Sequence, residues 1–88
     1  FLYATIIGVI MNYDVGDTFV SMNNGECTIM QIIDFGYFQR NIGQRFGLLC
    51  VEGACKHMIM GEAFMTPRVA VNHLIANGYK LLSKNPRL

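Results

Sequence analysis

Apolar positions in this chain change period once, at Thr66. From there Ala70, Val71, Leu74 and Ile75 recur at helical spacing and project onto one face at about 100° per residue, while Arg68, Asn72, His73 and Asn77 lie elsewhere. Thr66 suits the N-cap, where its hydroxyl accepts from a free first-turn N–H. Pro67 suits the first helical position, where a missing N–H costs nothing. Gly78 suits the left-handed residue that closes a helix. The pattern predicts one helix at about 67–77, packed on a sheet through Ala70, Val71, Leu74 and Ile75. Residues 79–83 then read as a short final strand.

Upstream of Thr66 the period is that of strands. Residues 1–11 are β-branched and aromatic, and both alternating faces are apolar. Such a run suits the middle of a sheet covered on both sides. It is too short to cross a bilayer as a helix, and no basic region precedes it to suggest a leader. Residues 12–17 read as a turn and 18–22 as a strand. Asn24-Gly25 is a two-residue hairpin signal, which sets Asn23 against Glu26, Met22 against Cys27, Ser21 against Thr28 and Val20 against Ile29. Residues 27–35 form a long strand, with a bulge expected where Ile32-Ile33 breaks alternation. Residues 37–40 read as a further strand or an aromatic turn, and 41–47 as a loop or bent strand. Residues 48–51 and 54–60 read as a second hairpin about Glu52-Gly53.

These elements predict an α+β fold: a small, mostly antiparallel β-sheet or partly open barrel of five to six strands, covered by one late helix and ending in a short strand. The 88 residues carry no repeat, linker or low-complexity run, so one domain, 1–88, is expected. Residues 15–19 and 23–26, Val-Gly-Asp-Thr-Phe and Asn-Asn-Gly-Glu, resemble the opening strand and hairpin of small β-barrel modules in phage-encoded nucleases. The metal motif of those nucleases is absent, and no function is carried over from the resemblance.

Composition changes the picture in one respect. Hydrophobic residues make up 52% and charged residues only 15%, against a usual charged share of about 25%. So few charges cannot cover a small domain, and surplus apolar surface is expected to be buried against another copy. Val69 and Ala76, opposite the core-facing stripe, are the expected oligomer contact. The net charge of +1 gives no strong field for a nucleic-acid backbone. Three cysteines do not make a paired disulfide framework, which fits a reducing, cytoplasmic setting.

Candidate chemistry is sparse. Cys50, Cys55 and His57 offer soft ligands, but the second half of a zinc site is missing. A two-residue turn at Glu52-Gly53 would set Cys50 opposite Cys55 on one side of a hairpin. Two buried, reduced thiols are the favoured account of that pair, with a labile disulfide as the alternative. His57 and His73 stand singly, and the acidic residues are dispersed. No cofactor or metal is expected. Tyr37, Phe38, Arg40, Gln44, Arg45 and Phe46 interleave aromatics with guanidiniums, a mixture that suits stacked bases and protein hot spots alike.

The reading these observations favour is a non-catalytic binding or regulatory module acting as a homo-oligomer. Its partner would be a protein or a small molecule, with no membrane involved. Small size and the lack of a catalytic signature extend the reading to a viral or mobile-element origin. One alternative is a β-barrel that binds nucleic acid or a nucleotide through residues 40–46. Another is a thiol-dependent enzyme using Cys50 or Cys55.

Overall fold

The computed structural model describes residues 12–36 and 44–85. In that range the chain forms a four-stranded open antiparallel sheet and one helix. The elements follow as β1 (Thr18–Asn23), β2 (Glu26–Asp34), β3 (Phe46–Glu52), α1 (Pro67–Ala76) and β4 (Lys80–Ser83). Their order across the sheet is β3-β2-β1-β4. Four strands replace the expected five to six among the described residues, and the sheet is open rather than a barrel. The expected strands within 1–11 and 37–40 lie outside the described residues.

The first hairpin forms in the expected register, from Asn23 opposite Glu26 to Val20 opposite Ile29. Asn24 and Gly25 both take positive φ, 53° and 81°, as the twist of a two-residue hairpin requires. Where β2 meets β3 the register shifts between Ile29 and Met30. The extra residue is Val51 on β3, so the bulge is not at Ile32-Ile33. Ile32 stays in regular alternation and is fully buried.

The second hairpin differs from expectation. Residues 53–57 make the turn: Lys56 N–H donates to Gly53 C=O at 3.1 Å and His57 N–H to Cys50 C=O at 2.7 Å. Gly53 and His57 both take positive φ, which widens the connection beyond two residues. The chain then runs back along β3 irregularly. Leu49–Ile59 and Phe46–Phe64 are isolated bridges, and the intervening residues 61–63 leave the ladder, so 54–60 is not a strand.

The helix begins and ends where its signals lie. Thr66 Oγ1 accepts from Val69 N–H at 3.2 Å. At the other end Tyr79 N–H donates to Leu74 C=O and Gly78 N–H to Ile75 C=O, with Gly78 at φ +86°. That pair of bonds is a Schellman closure. It turns the chain at once into β4, which pairs antiparallel with β1.

One core results. Phe19, Met30, Ile32, Leu48 and Cys50 project from the sheet toward Ala70, Val71 and Leu74 of α1. Burying Val71 and Leu74 contributes about 1.5–3 kcal/mol each. Ile75 does not join them. It is 53% exposed, because the helix meets the sheet along a stripe centred on Ala70, Val71 and Leu74 that Ile75 only flanks. Among the described residues no helix is long and apolar enough to cross a membrane.

Candidate functional site

The Schellman turn has a second consequence. By bringing Tyr79 beside Leu74, it leaves a cleft of about 240 Å³ between the C-terminal half of α1 and the sheet. Met30, Leu48 and Leu74 form its apolar floor, and Met60 and Tyr79 flank it. Gly61, Glu62, His73 and Asn77 make the rim. Thioether side chains adapt to ligand shape and make favourable contacts with aromatic rings.

The rim has a defined polar pattern. His73 Nε2 lies 3.4 Å from Glu62 Oε1, and the Glu62 side chain is mostly exposed. The contact is an ion pair only when the imidazole is protonated. The His73 ring also leans on Phe64, centroids 5.3 Å apart, which fixes its position. Asn77 Nδ2 donates to His73 C=O at 2.8 Å. The cleft therefore joins an apolar interior to one carboxylate at its mouth.

Behind Tyr79 sit two of the three thiols. Cys50 is fully buried and Cys55 half-buried, and both are free. The Cys50 thiol donates to Glu52 C=O, Sγ to O 3.2 Å. Burial first, and then the neighbouring Cys55 thiol, push the Cys50 pKa up to about 11. Cys50 is thus a protonated core thiol at neutral pH and lacks the thiolate that covalent catalysis needs. Burial, with Cys55 and Cys50 close by, raises the Tyr79 hydroxyl as well. The expected pairing of Cys50 across a two-residue turn does not form, yet the longer turn at 53–57 still brings Cys55 to it.

The aromatic and basic segment is only partly described. Tyr37, Phe38 and Arg40 lie outside the described residues. Gln44 is half-buried, and Phe46 opens β3, bridged to Phe64. Arg45 forms a two-pronged pair with Asp34, Nε to Oδ1 2.8 Å and Nη2 to Oδ2 2.9 Å, and its guanidinium lies 5.9 Å from the Phe46 ring centroid. The Arg45 bonds, with Gly36 N–H, hold the Asp34 carboxyl below its ordinary value. Val69 and Ala76 are both exposed on α1, on the side away from the sheet. No cluster of three or more metal-ligating side chains occurs among the described residues.

Sequence reasoning did not find the cleft. Met30, Met60 and Tyr79 are far apart in the chain and carry no mutual spacing. The one available signal was Gly78-Tyr79: a large side chain just after a helix-closing glycine packs back on the last turn. No family model matches the chain, and neither a curated protein nor a solved structure does.

Proposed function

We propose that this chain is a small binding module acting as a homo-oligomer, and that the cleft beneath the end of α1 is its ligand site. The cleft's size and lining carry the reading. An apolar cavity of about 150 Å³ is enough to hold benzene, so 240 Å³ accommodates one aromatic ring with a short substituent. Met30, Met60 and Leu74 supply the apolar contacts. Glu62 at the rim selects the substituent: a cation or a hydrogen-bond donor is favoured and an anion repelled. The ligand class is therefore a compact aryl group with a cationic tail, free or at the end of a larger molecule.

Calorimetric titration with phenethylamine and with phenylacetate tests this reading, because the two share a ring and differ in charge. Phenethylamine binds and phenylacetate binds more weakly. Glu62→Gln narrows the difference while leaving the fold unchanged, since Glu62 is exposed. Equal affinity for the two probes in the wild type would contradict the assignment of Glu62.

A further inference from the structure

One face of the sheet lies under α1, and its other face carries an ordered row of side chains. Val20 is opposite Ile29 on β2 and Lys80 on β4, and Ile29 is opposite Glu52 on β3. Lys80, Val20, Ile29 and Glu52 therefore stand side by side across all four strands. Partners opposite one another in a ladder point to the same side of a sheet. The adjacent residues Phe19 and Met30 point into the core, so this row faces the other way.

Two register shifts enlarge that second face. Phe19 pairs with Leu81 and Thr18 with Ser83, which leaves Leu82 as an extra residue on β4. Val51 is the corresponding extra residue on β3. Each bulge places one more apolar side chain on the face. Leu82 is 51% exposed; Met22, further along β1, and Ile59, bridged to Leu49 at the β3 edge, extend the face and are 65% and 52% exposed. Three of the polar side chains among them are already bonded within the chain. Thr18 Oγ1 and Ser83 Oγ are 2.8 Å apart, and Gln31 Nε2 donates to Gly16 C=O. Those bonds lower the cost of taking water from the middle of the face.

We propose that two copies of the chain dock through this face, sheet on sheet, about a two-fold axis parallel to the strands. The proposal rests on the reading of the protein as a homo-oligomer and says where the contact lies. Charge selects the axis. The row is positive at its β4 end, Lys80, and negative at its β3 end, Glu52. A two-fold parallel to the strands reverses strand order but keeps level along the strands, so Lys80 meets the partner's Glu52 and Val20 meets the partner's Ile29. A two-fold across the strands would set lysine on lysine. Glu52 is free to swing toward its new neighbour, because its contact with Lys56 is long, 3.8 Å, and half exposed on both sides. Area is consistent with this. Four strands about 4.8 Å apart make a face about 20 Å wide. Two such faces bury on the order of 1,000 Å² of accessible surface, the size of a weak, reversible interface.

Sedimentation velocity on the full chain over a concentration series tests the proposal, with wild type, Lys80→Glu, Glu52→Lys and the double exchange compared. Lys80 and Glu52 are exposed, so all four proteins fold, as circular dichroism will confirm. The wild type sediments as a dimer. Each single variant creates two like-charge contacts in a symmetric interface and weakens association about tenfold or more. The double exchange restores affinity to within about threefold of the wild type. A wild type that stays monomeric throughout overturns both this proposal and the oligomer reading. A dimeric wild type whose single variants associate unchanged overturns this face alone and leaves the oligomer reading standing. Weakened single variants without rescue in the double overturn the axis.

Discussion

Lys84 Nζ lies 2.6 Å from Asp17 Oδ2, closing a contact between residues 67 positions apart. Asp17 has no solvent-exposed side-chain surface. Asp14 N–H and Asn85 N–H complete its shell at 2.9 Å and 2.7 Å. Lys84 also reaches Asn12 C=O and lies 5.1 Å from the Tyr13 ring centroid. This carboxylate ties the turn before β1 to the segment after β4.

Removing either partner should therefore destabilise the fold. Asp17→Asn is expected to lower unfolding free energy by about 1–3 kcal/mol, because a buried acceptor site is exchanged for an unmatched amide. Lys84→Met is expected to lower it by about 1–2 kcal/mol, since the two backbone donors remain. Urea denaturation at neutral pH measures both.

The same carboxylate predicts an acid dependence. Burial pushes the Asp17 pKa up, but Asn85 N–H, Lys84 and Asp14 N–H outweigh it, and the net shift is below the ordinary 3.8. A carboxyl lowered in the folded state contributes stability that is fully present above its unfolded value. That contribution is lost as pH falls from 3.8 toward and through the lowered folded value. The stability gap between wild type and Asp17→Asn should be constant from pH 7 to about pH 5 and shrink below pH 4. A gap unchanged at pH 2 would mean that Asp17 does not titrate in this way.

Much of this architecture is legible in the residues, and the exceptions have physical reasons. Asn24-Gly25 sets the first hairpin because the required positive φ values leave few alternatives. Thr66, Pro67 and Gly78 bound the helix because capping chemistry is local. A helical projection puts Ile75 on the core-facing stripe because it gives direction and not depth. Glu52-Gly53 looked like a tight turn, but His57 also adopts positive φ, at 75°, and nothing in a histidine announces that. The cleft was invisible because Met30, Met60 and Tyr79 meet only through tertiary packing.

The helix closure gives a second stability prediction. Gly78 sits at φ +86° with nothing within 4 Å of where a Cβ would be, so a substitution meets backbone strain and no clash. Gly78→Ala should cost about 1 kcal/mol and Gly78→Val more, because β-branching resists positive φ. Thr66→Ala should cost about 1 kcal/mol through the lost cap. Thermal melts should rank wild type above both alanine variants, with Gly78→Val lowest. A Gly78→Val melt equal to wild type would contradict the closure.

Thiol accessibility separates the three cysteines. Cys50 is fully buried and protonated to about pH 11, whereas Cys27 and Cys55 are half-buried. Iodoacetamide at pH 8 should label Cys27 and Cys55 in the folded protein and reach Cys50 only in denaturant, as peptide mapping will show. Cys50→Ser should cost about 1–3 kcal/mol by placing a hydroxyl in an apolar core. Labelling of Cys50 as fast as Cys27 would reopen a nucleophilic role for it.

The binding reading is tested most directly by methyl NMR on protein labelled at the methionine ε-carbon. Met30 and Met60 line the cleft, while Met22, Met58 and Met65 are exposed elsewhere. Titration with phenethylamine should move the Met30 and Met60 signals along saturable curves that share one dissociation constant, and leave Met22, Met58 and Met65 in place. Unmoved Met30 and Met60 signals up to the solubility limit of the probe, or equal drift of all five, would contradict a ligand site in the cleft.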